Sequence, residues 1–342
     1  MMGSRVAGLF SEIDKLRAQL LHNVEVMTDC QRVEEEISQK EILTRIENVI
    51  QGVVTSMSKN EAPVLALPNR SSWANVSFDS AIGLQMSSGS SVTTIRSDCA
   101  SSVTKFAQIL KILLVIYRLV QSSSYATKRD IYYNNTQLFG SQKTVDSIVD
   151  DISCMLKVPR RSLHVLATSK GFISGDLCYL EEDGTRIDCH SSSAGKGVPD
   201  VNSRLMVRKL WDTLHIPIFA LVDADPHGIE IMCIYKYGSV AMSFEAHSLT
   251  VPSVMWLGLL PSDLQRLRVP EAALIPLTKR DESKLSSLLK RPYLTSEPDM
   301  QKEMELMQQS KVKAEIQSLT AIAPDFLTSI YLPNKLRYGG WV

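Results

Sequence analysis

Two groups of residues in this 342-residue chain have the types and spacing to do chemistry. The first is Asp223-Ala-Asp225, which ends the apolar run Ile216-Pro-Ile-Phe-Ala-Leu-Val222. The run reads as a buried strand stopped by Pro226 and Gly228. Along a strand, residues two positions apart point the same way. Two hard carboxylates converging at a strand end suit Mg²⁺, which keeps several waters and takes one or two carboxylates together with a phosphate. A pair of solvated loop aspartates fits the same local sequence.

The second group is Tyr132-Tyr133 with Lys128-Arg129 just upstream. On a helix, adjacent residues point about 100° apart, so the two tyrosines cannot share a role. Paired tyrosines are commonly ordinary amphipathic packing. The cations one turn away open another reading, because they would hold a phosphodiester and stabilise charge developing on it. Tyrosine acts as a covalent nucleophile, but with an ordinary pKa of about 10 it is weak without such help.

Other clusters are less specific. Gly195-Lys196-Gly197-Val-Pro-Asp200 could aim backbone N–H groups at an anion; it lacks the spacing of a Walker motif and also reads as a plain loop. Lys157 with Arg160-Arg161, and Arg204 with Arg208 and Lys209, could contact phosphates or form solvated faces. His215 and His227 have no partner at metal-ligand spacing and receive no role. The Asp-x-Asp signature also resembles a haloacid-dehalogenase-like phosphatase. That fold opens its chain with the motif, whereas here it lies two-thirds along, and no Gly-Thr follows the second Asp.

These residues need elements to position them. Ile42, Ile46, Val49, Ile50 and Val53 recur at helical spacing within residues 1–60, as core packing or as a docking face. Residues 84–104 are rich in Ser and Thr and read as a loop or linker. Helices are predicted over Val103–Val120, around Tyr125–Tyr133 with a cap at Ser124 or Thr127, and over Thr144–Leu156. Short strands follow at Leu163–Ala167, Phe172–Leu180 and Thr185–Cys189, with Asp183-Gly184 as a hairpin turn. Three helices and a β-ribbon outline a winged helix. The second half alternates: helix Asn202–Leu214, strand Ile216–Val222, helix Gly228–Tyr235, strands Val240–Ala246 and Val254–Gly258. Such alternation predicts an α/β domain with a parallel sheet. From Lys279 the chain reads as helical, with one helix start at Ser296 and Pro298.

Composition bounds the partners. Lys and Arg total 37, Asp and Glu total 37, and the net charge is zero, so any nucleic-acid surface must come from segregated charge. Six scattered cysteines contain no C-x-x-C pair, which argues against a disulfide framework or a zinc site and for a reduced intracellular compartment. No signal peptide is visible, and the longest apolar run, interrupted by Lys111 and Arg118, is too short to span a bilayer.

Together, Tyr125-Ala-Thr-Lys-Arg-Asp-Ile-Tyr-Tyr133, Ser153-Cys-Met-Leu-Lys-Val-Pro-Arg-Arg-Ser-Leu163, Gly195-Lys-Gly-Val-Pro-Asp200, Val222-Asp-Ala-Asp-Pro-His-Gly228 and Leu332-Pro-Asn-Lys335 resemble the topoisomerase VI A family with its meiotic double-strand-break relatives, over roughly residues 40–342. The resemblance implies an α/β (α+β) fold in four parts. An amino-terminal helical segment (1–60) docks a topoisomerase VI B-like protein, and a connecting segment (61–102) follows. Then come a winged-helix (CAP-like) DNA-binding domain (103–190) and a Toprim domain with a helical extension (195–342). The resemblance implies that Tyr133 attacks a phosphate of double-stranded DNA, leaving a 5′-phosphotyrosyl link. Tyr132 is then a packing neighbour and Arg129 holds the scissile phosphate. Asp223 and Asp225 hold Mg²⁺, and Lys128, Arg160, Arg161 and Lys196 contact DNA. The implied assembly is a homodimer acting in the nucleus, with no membrane attachment. One family feature is absent. Toprim domains open with a strand ending in glutamate, yet between Cys189 and Gly195 stands only His190-Ser-Ser-Ser-Ala194. A truncated Toprim sheet is therefore expected, and with it poor DNA cleavage and marginal stability. A DNA- or partner-binding module without catalysis is the alternative.

Overall fold

The computed structural model describes residues 37–166 and 201–342 and, between them, 175, 178–180 and 186–188. Gln39–Val342 forms one compact unit. Met1–Ser38 is a second, of which only Ile37 and Ser38 are among the described residues. Lys196 and its glycine loop, the Asp183-Gly184 turn and the Cys189–Gly195 junction lie outside the described residues.

Helix α1 (Gln39–Ser58) buries Ile42, Ile46 and Val53 against the body, so the apolar stripe is at least partly core. Ile50, Val54 and Met57 of the same helix remain exposed. Arg45 ties α1 down: its guanidinium donates to the carbonyls of Leu156 and Lys157 at 2.8 and 3.0 Å.

Next come two antiparallel pairs, β1 (Val64–Pro68) with β4 (Val92–Arg96) and, inside them, β2 (Val76–Asp79) with β3 (Gly83–Met86). The Ser/Thr-rich stretch expected as a loop is thus half strand. Leu84 and Ile95 are buried, while Thr93 and Thr94 occupy the exposed positions of β4, where β-branched polar residues are at home. Ser/Thr content alone does not distinguish a strand's solvated face from a loop.

Helix α2 (Val103–Gln121) is the central rod; Ile109, Ile112, Leu113, Ile116 and Val120 are fully buried. After β5 (Ala126–Thr127) come α3 (Lys128–Tyr133), α4 (Thr136–Phe139) and α5 (Gln142–Leu156). The last buries Val145, Ile148, Val149 and Ile152 at helical spacing. Lys157, in the left-handed conformation, ends α5. β6 (Val165–Leu166) pairs in parallel with β5. The predicted ribbon is represented by β7 (Cys178–Leu180) antiparallel to β8 (Arg186–Asp188).

In the second half, α6 (Val201–Leu214) leads to β9 (Phe219–Leu221), which lies parallel to β10 (Met255–Gly258) as the alternation predicts. Backbone bonds between Trp256 and Val342 extend β10 on its other side. Helix α7 (Pro226–Tyr237) packs Ile229, Met232 and Cys233 into the core beside Trp256. The predicted strand at Val240–Ala246 is instead a 3-10 segment, Val240–Glu245. Its alternating pattern never meets a ladder partner: Gly238 ends α7, Met242 N–H bonds back to Ser239, and β3 packs over the segment. The chain continues through α8 (Pro261–Arg266), β11 (Ile275–Pro276), α9 (Lys279–Leu288), α10 (Pro298–Ser310), β12 (Val312–Lys313) and α11 (Leu332–Tyr338). Helix α10 does start at Pro298, but the residue before it is Glu297; the Ser296 hydroxyl donates to Tyr293 O instead. No described helix is long and apolar enough to cross a membrane.

Candidate functional site

Tyr133 is the last residue of α3 and is 70% exposed. The helix is short, and its start is over-determined. The Thr127 hydroxyl accepts from Asp130 N–H, and the Asp130 carboxylate accepts in return from the Thr127 N–H at 2.8 Å and its hydroxyl at 2.7 Å. That reciprocal cap satisfies backbone donors a six-residue helix would otherwise leave open. Ile131 is the buried anchor. Tyr132 is half-buried, with its ring 5.3 Å from that of Tyr133 at 54°. The two rings therefore diverge, one towards the protein and one into solvent.

The flanking cations have different fates. Arg129 is exposed. Lys128 turns inwards, with its ammonium 3.3 Å from Asp146 on α5 and its side chain 14% exposed. Burial draws the pKa of Lys128 below the ordinary lysine value, and the charge of Arg160 pushes the same way. Arg161 is exposed, but Arg160 is only 7% exposed and so does not lie on a solvated face. Its guanidinium sits 3.2 Å from Asp150, and its N–H donates to the buried Glu245 carboxylate at 3.3 Å. Arg204, expected on a basic helix face, is also buried and donates to Leu249 O.

Asp223 and Asp225 follow β9 and are both half-buried. Asp225 caps α7: its Oδ1 accepts from Gly228 N–H at 2.5 Å, with Pro226 in the first turn. Asp223 Oδ1 accepts from Ile316 N–H at 2.8 Å. Gly228 is required by closeness, since a Cβ there would lie 2.5 Å from Asp223 O. Each carboxylate thus has one oxygen fixed by the backbone and a second with no hydrogen-bond partner among the described residues. Two oriented, half-buried carboxylates with an open oxygen each fit a Mg²⁺ ion that completes its shell with water and phosphate. No three acidic, His or Cys side chains converge as a ready-made metal cluster among the described residues. His227 lies 3.7 Å from Asp281, which is itself held by Lys313 at 2.9 Å.

The two candidate centres rest on different supports. Helix α3 packs on α5, β5 and α4, whereas α7 packs on α9 and β3. No hydrogen bond, ion pair or ring contact among the described residues joins Tyr133 to Asp223 or Asp225. Sequence reasoning missed Asp146, the partner of Lys128, and Ile316, the fixer of Asp223. The Thr-x-x-Asp spacing at 127–130 was the one available signal for the cap.

Comparison with known proteins assigns the lineage. Residues 193–336 match the Toprim-domain family of the topoisomerase 6 A-type chains and Spo11, and residues 104–165 match the family described as Type IIB DNA topoisomerase. The meiotic recombination protein SPO11 of Mus musculus is 52% identical, covering 98% of this chain and 98% of its own. The SPO11 protein of Homo sapiens is 54% identical over 89% of each chain. The A-type component of DNA topoisomerase 6 from Arabidopsis thaliana is 30% identical, over 88% of this chain and 81% of its own. The chain belongs to the topoisomerase VI A/SPO11 family. The mouse alignment runs over 390 positions against 342 residues here, so at least 48 positions of it face no residue of this chain.

Proposed function

We propose that this chain is a topoisomerase-like DNA transesterase of meiotic double-strand-break formation. The observation that carries the reading is the Tyr133 hydroxyl, held in solvent at the end of a capped helix beside the exposed Arg129. The Tyr133 oxygen attacks a phosphorus of duplex DNA and loses its proton. The 3′-oxygen leaves and takes up a proton, and the protein stays joined to the 5′-phosphate. Arg129 orients the phosphate and offsets its charge; Tyr132 packs beside the nucleophile. Lys128 and Arg160 act at one remove, since both are engaged by α5 carboxylates, and Arg161 and Lys196 supply phosphate contacts. Asp223 and Asp225 hold Mg²⁺, which when bound neutralises the phosphate and the departing oxygen.

The domain reading is a winged-helix unit over 103–190, supported by α2, α3, α5 and the β7–β8 pair, followed by a Toprim unit from 195. Two copies cut the two strands, each tyrosine working at the other's acidic pocket. That no hydrogen bond, ion pair or ring contact among the described residues joins Tyr133 to Asp223 is consistent with this. A topoisomerase VI B-like protein docks near residues 1–60, and the site of action is the nucleus.

A second reading has its own support. The 48 or more unmatched positions, and a stretch between Cys189 and Gly195 whose sequence holds neither a glutamate nor an apolar run, favour a chain that binds DNA or a partner and cleaves weakly. The deciding experiment incubates the chain with 3′-end-labelled duplex and Mg²⁺ and recovers protein under denaturing conditions. Label that survives, is lost in Tyr133→Phe and persists in Tyr132→Phe supports the transesterase. Equal loss in both variants overturns the assignment of roles, and no label from the parent chain favours the binding module.

A further inference from the structure

Arg70 lies in the loop that leaves β1. That loop is fixed at its base. Asn69 N–H donates to Ser91 O at 2.9 Å, Asn69 Oδ1 accepts from Ser71 N–H at 3.0 Å, and the buried Asn75 side chain donates to Asn69 O at 2.9 Å. From this base the guanidinium reaches two elements that are far apart in sequence. Its Nε and Nη2 donate to Asp151 Oδ1 on α5 at 3.0 and 2.8 Å, and Nη2 also donates to Ser147 O at 3.3 Å. Its Nη1 donates at 3.0 Å to Ala241 O, in the 3-10 segment Val240–Glu245. The Arg70 side chain is 10% exposed and that of Asp151 13%, so these charge-assisted bonds are largely shielded from water and salt.

The two elements lead to the two candidate centres. Helix α5 carries Asp146, which pairs with Lys128 at the start of the tyrosine helix. Only Gly238 and Ser239 separate the 3-10 segment from α7, the helix that Asp225 caps. The segment is gripped a second time. Its Glu245 accepts from Arg160 N–H, and Arg160 pairs with Asp150, the neighbour of Asp151. Adjacent carboxylates of α5 thus hold two arginines, and both arginines contact one segment of the other half. A guanidinium presents its donors in a rigid planar fork, so a single side chain fixes both distance and direction between its acceptors. A lysine ammonium is a point charge on a flexible stem and cannot do the same.

We propose that Arg70 is a positioning residue for the transesterase reaction, fixing the pose of the tyrosine-bearing elements α3 to α5 relative to the segment that leaves α7. The inference rests on the reading above, in which each tyrosine works at another copy's acidic pocket. In such an assembly the spacing between Tyr133 and the aspartates within one copy decides whether both sites close together. Arg70 acts through α5 and the Val240–Glu245 segment, not by touching the reacting atoms.

The test measures that pose directly. Double electron–electron resonance is recorded between spin labels carried on p-acetylphenylalanine at the exposed Gln137 of α4 and the exposed Ser283 of α9, with labelled chain diluted in unlabelled chain. The parent is compared with Arg70→Lys, Arg70→Ala and Lys105→Met. Lys105 pairs with the other oxygen of Asp151 at 3.1 Å and has no hydrogen bond or ion pair to the 3-10 segment among the described residues, so its loss weakens α5 without cutting the bridge. Arg70→Lys keeps the charge, yet should broaden and shift the distance distribution, as should Arg70→Ala; Lys105→Met should match the parent. Affinity for duplex, and for Mn²⁺ standing in for Mg²⁺ at the aspartates, should match the parent in Arg70→Lys. The yield of covalently attached DNA in that variant should fall about tenfold, as expected when reacting groups are misplaced rather than removed. An unchanged distribution in Arg70→Lys overturns the proposal, as does equal broadening in Lys105→Met. A broadened distribution with full DNA attachment overturns the link to the reaction. A parent chain that attaches no DNA overturns the transesterase reading and the role in it, and the distance distributions alone then decide whether Arg70 sets the pose.

Discussion

The helix that carries Tyr133 is fixed largely by its neighbours in sequence, whereas the turn that carries Asp223 and Asp225 is held by a residue 93 positions away. In α3 the cap is Thr127 with Asp130, the anchor is Ile131, and the brace, Asp146, lies on the next long helix. The aspartate turn needs Ile316 to aim one carboxylate, a glycine to let α7 approach, and Ala314, just past β12, to pair with Ala224 at its flank. A locally built element can present a nucleophile even when distant segments shift. An acidic pocket assembled from distant segments fails when any one of them is displaced. The two regions should therefore respond differently to substitution.

The largest effect expected is on the tyrosine side and concerns chemistry alone. Tyr133→Phe should remove all covalently attached DNA while leaving the urea unfolding midpoint unchanged, because the hydroxyl lies in solvent. A shifted midpoint would mean that Tyr133 is structural. On the aspartate side, stability and site should fall together. Gly228→Ala forces a methyl against the Asp223 backbone and should cost about 3 kcal/mol by urea unfolding, in the range for overpacked cores. Loss of Mn²⁺ binding should accompany it; full stability would refute the close-approach argument.

How much of this was legible beforehand follows the same division. Thr127-x-x-Asp130 and the periodic apolar residues of α2 and α5 act within a few positions, so their elements could be read directly. Asp223 and Asp225 could be singled out because a strand ending in two acids is itself local. Their bond to Ile316 and the pairing of Ala224 with Ala314 could not, since neither alanine carries any mark of its partner. The burial of Arg160 and Arg204 was also invisible: an arginine cluster reads as a basic face unless Asp150 and Glu245 are known to lie against it. Val240–Glu245 misled for a related reason, since alternation reports a strand only where a ladder partner exists.

A further prediction uses Asp281, buried beside the aspartate turn. Desolvation alone would raise its pKa, but Lys313 and the N–H and hydroxyl of Thr278 outweigh it and hold the carboxyl at about 2, below its ordinary value of 3.8. A lowered folded-state pKa contributes stability that is present above the unfolded value and lost as pH falls from about 4 towards 2. Asp281→Asn should thus cost about 2 kcal/mol at neutral pH, with parent and variant converging near pH 2. A constant gap across an acid series would show that the loss is packing rather than charge. The smallest effect returns to α3: Thr127→Ala removes one side of the cap and should cost about 1 kcal/mol. DNA attachment should weaken while metal binding does not. A drop in Mn²⁺ affinity in that variant would show that the two regions are coupled within one chain.

Arg45 gives α1 a consequence beyond packing. It grips the end of α5 through the Leu156 and Lys157 carbonyls, and about ten residues earlier on that same rod Asp146 grips Lys128 at the root of the tyrosine helix. Arg45 and Lys128 therefore hold the same rod at points some 15 Å apart, so α5 is the shared abutment of the first described helix and of the helix that carries the tyrosine.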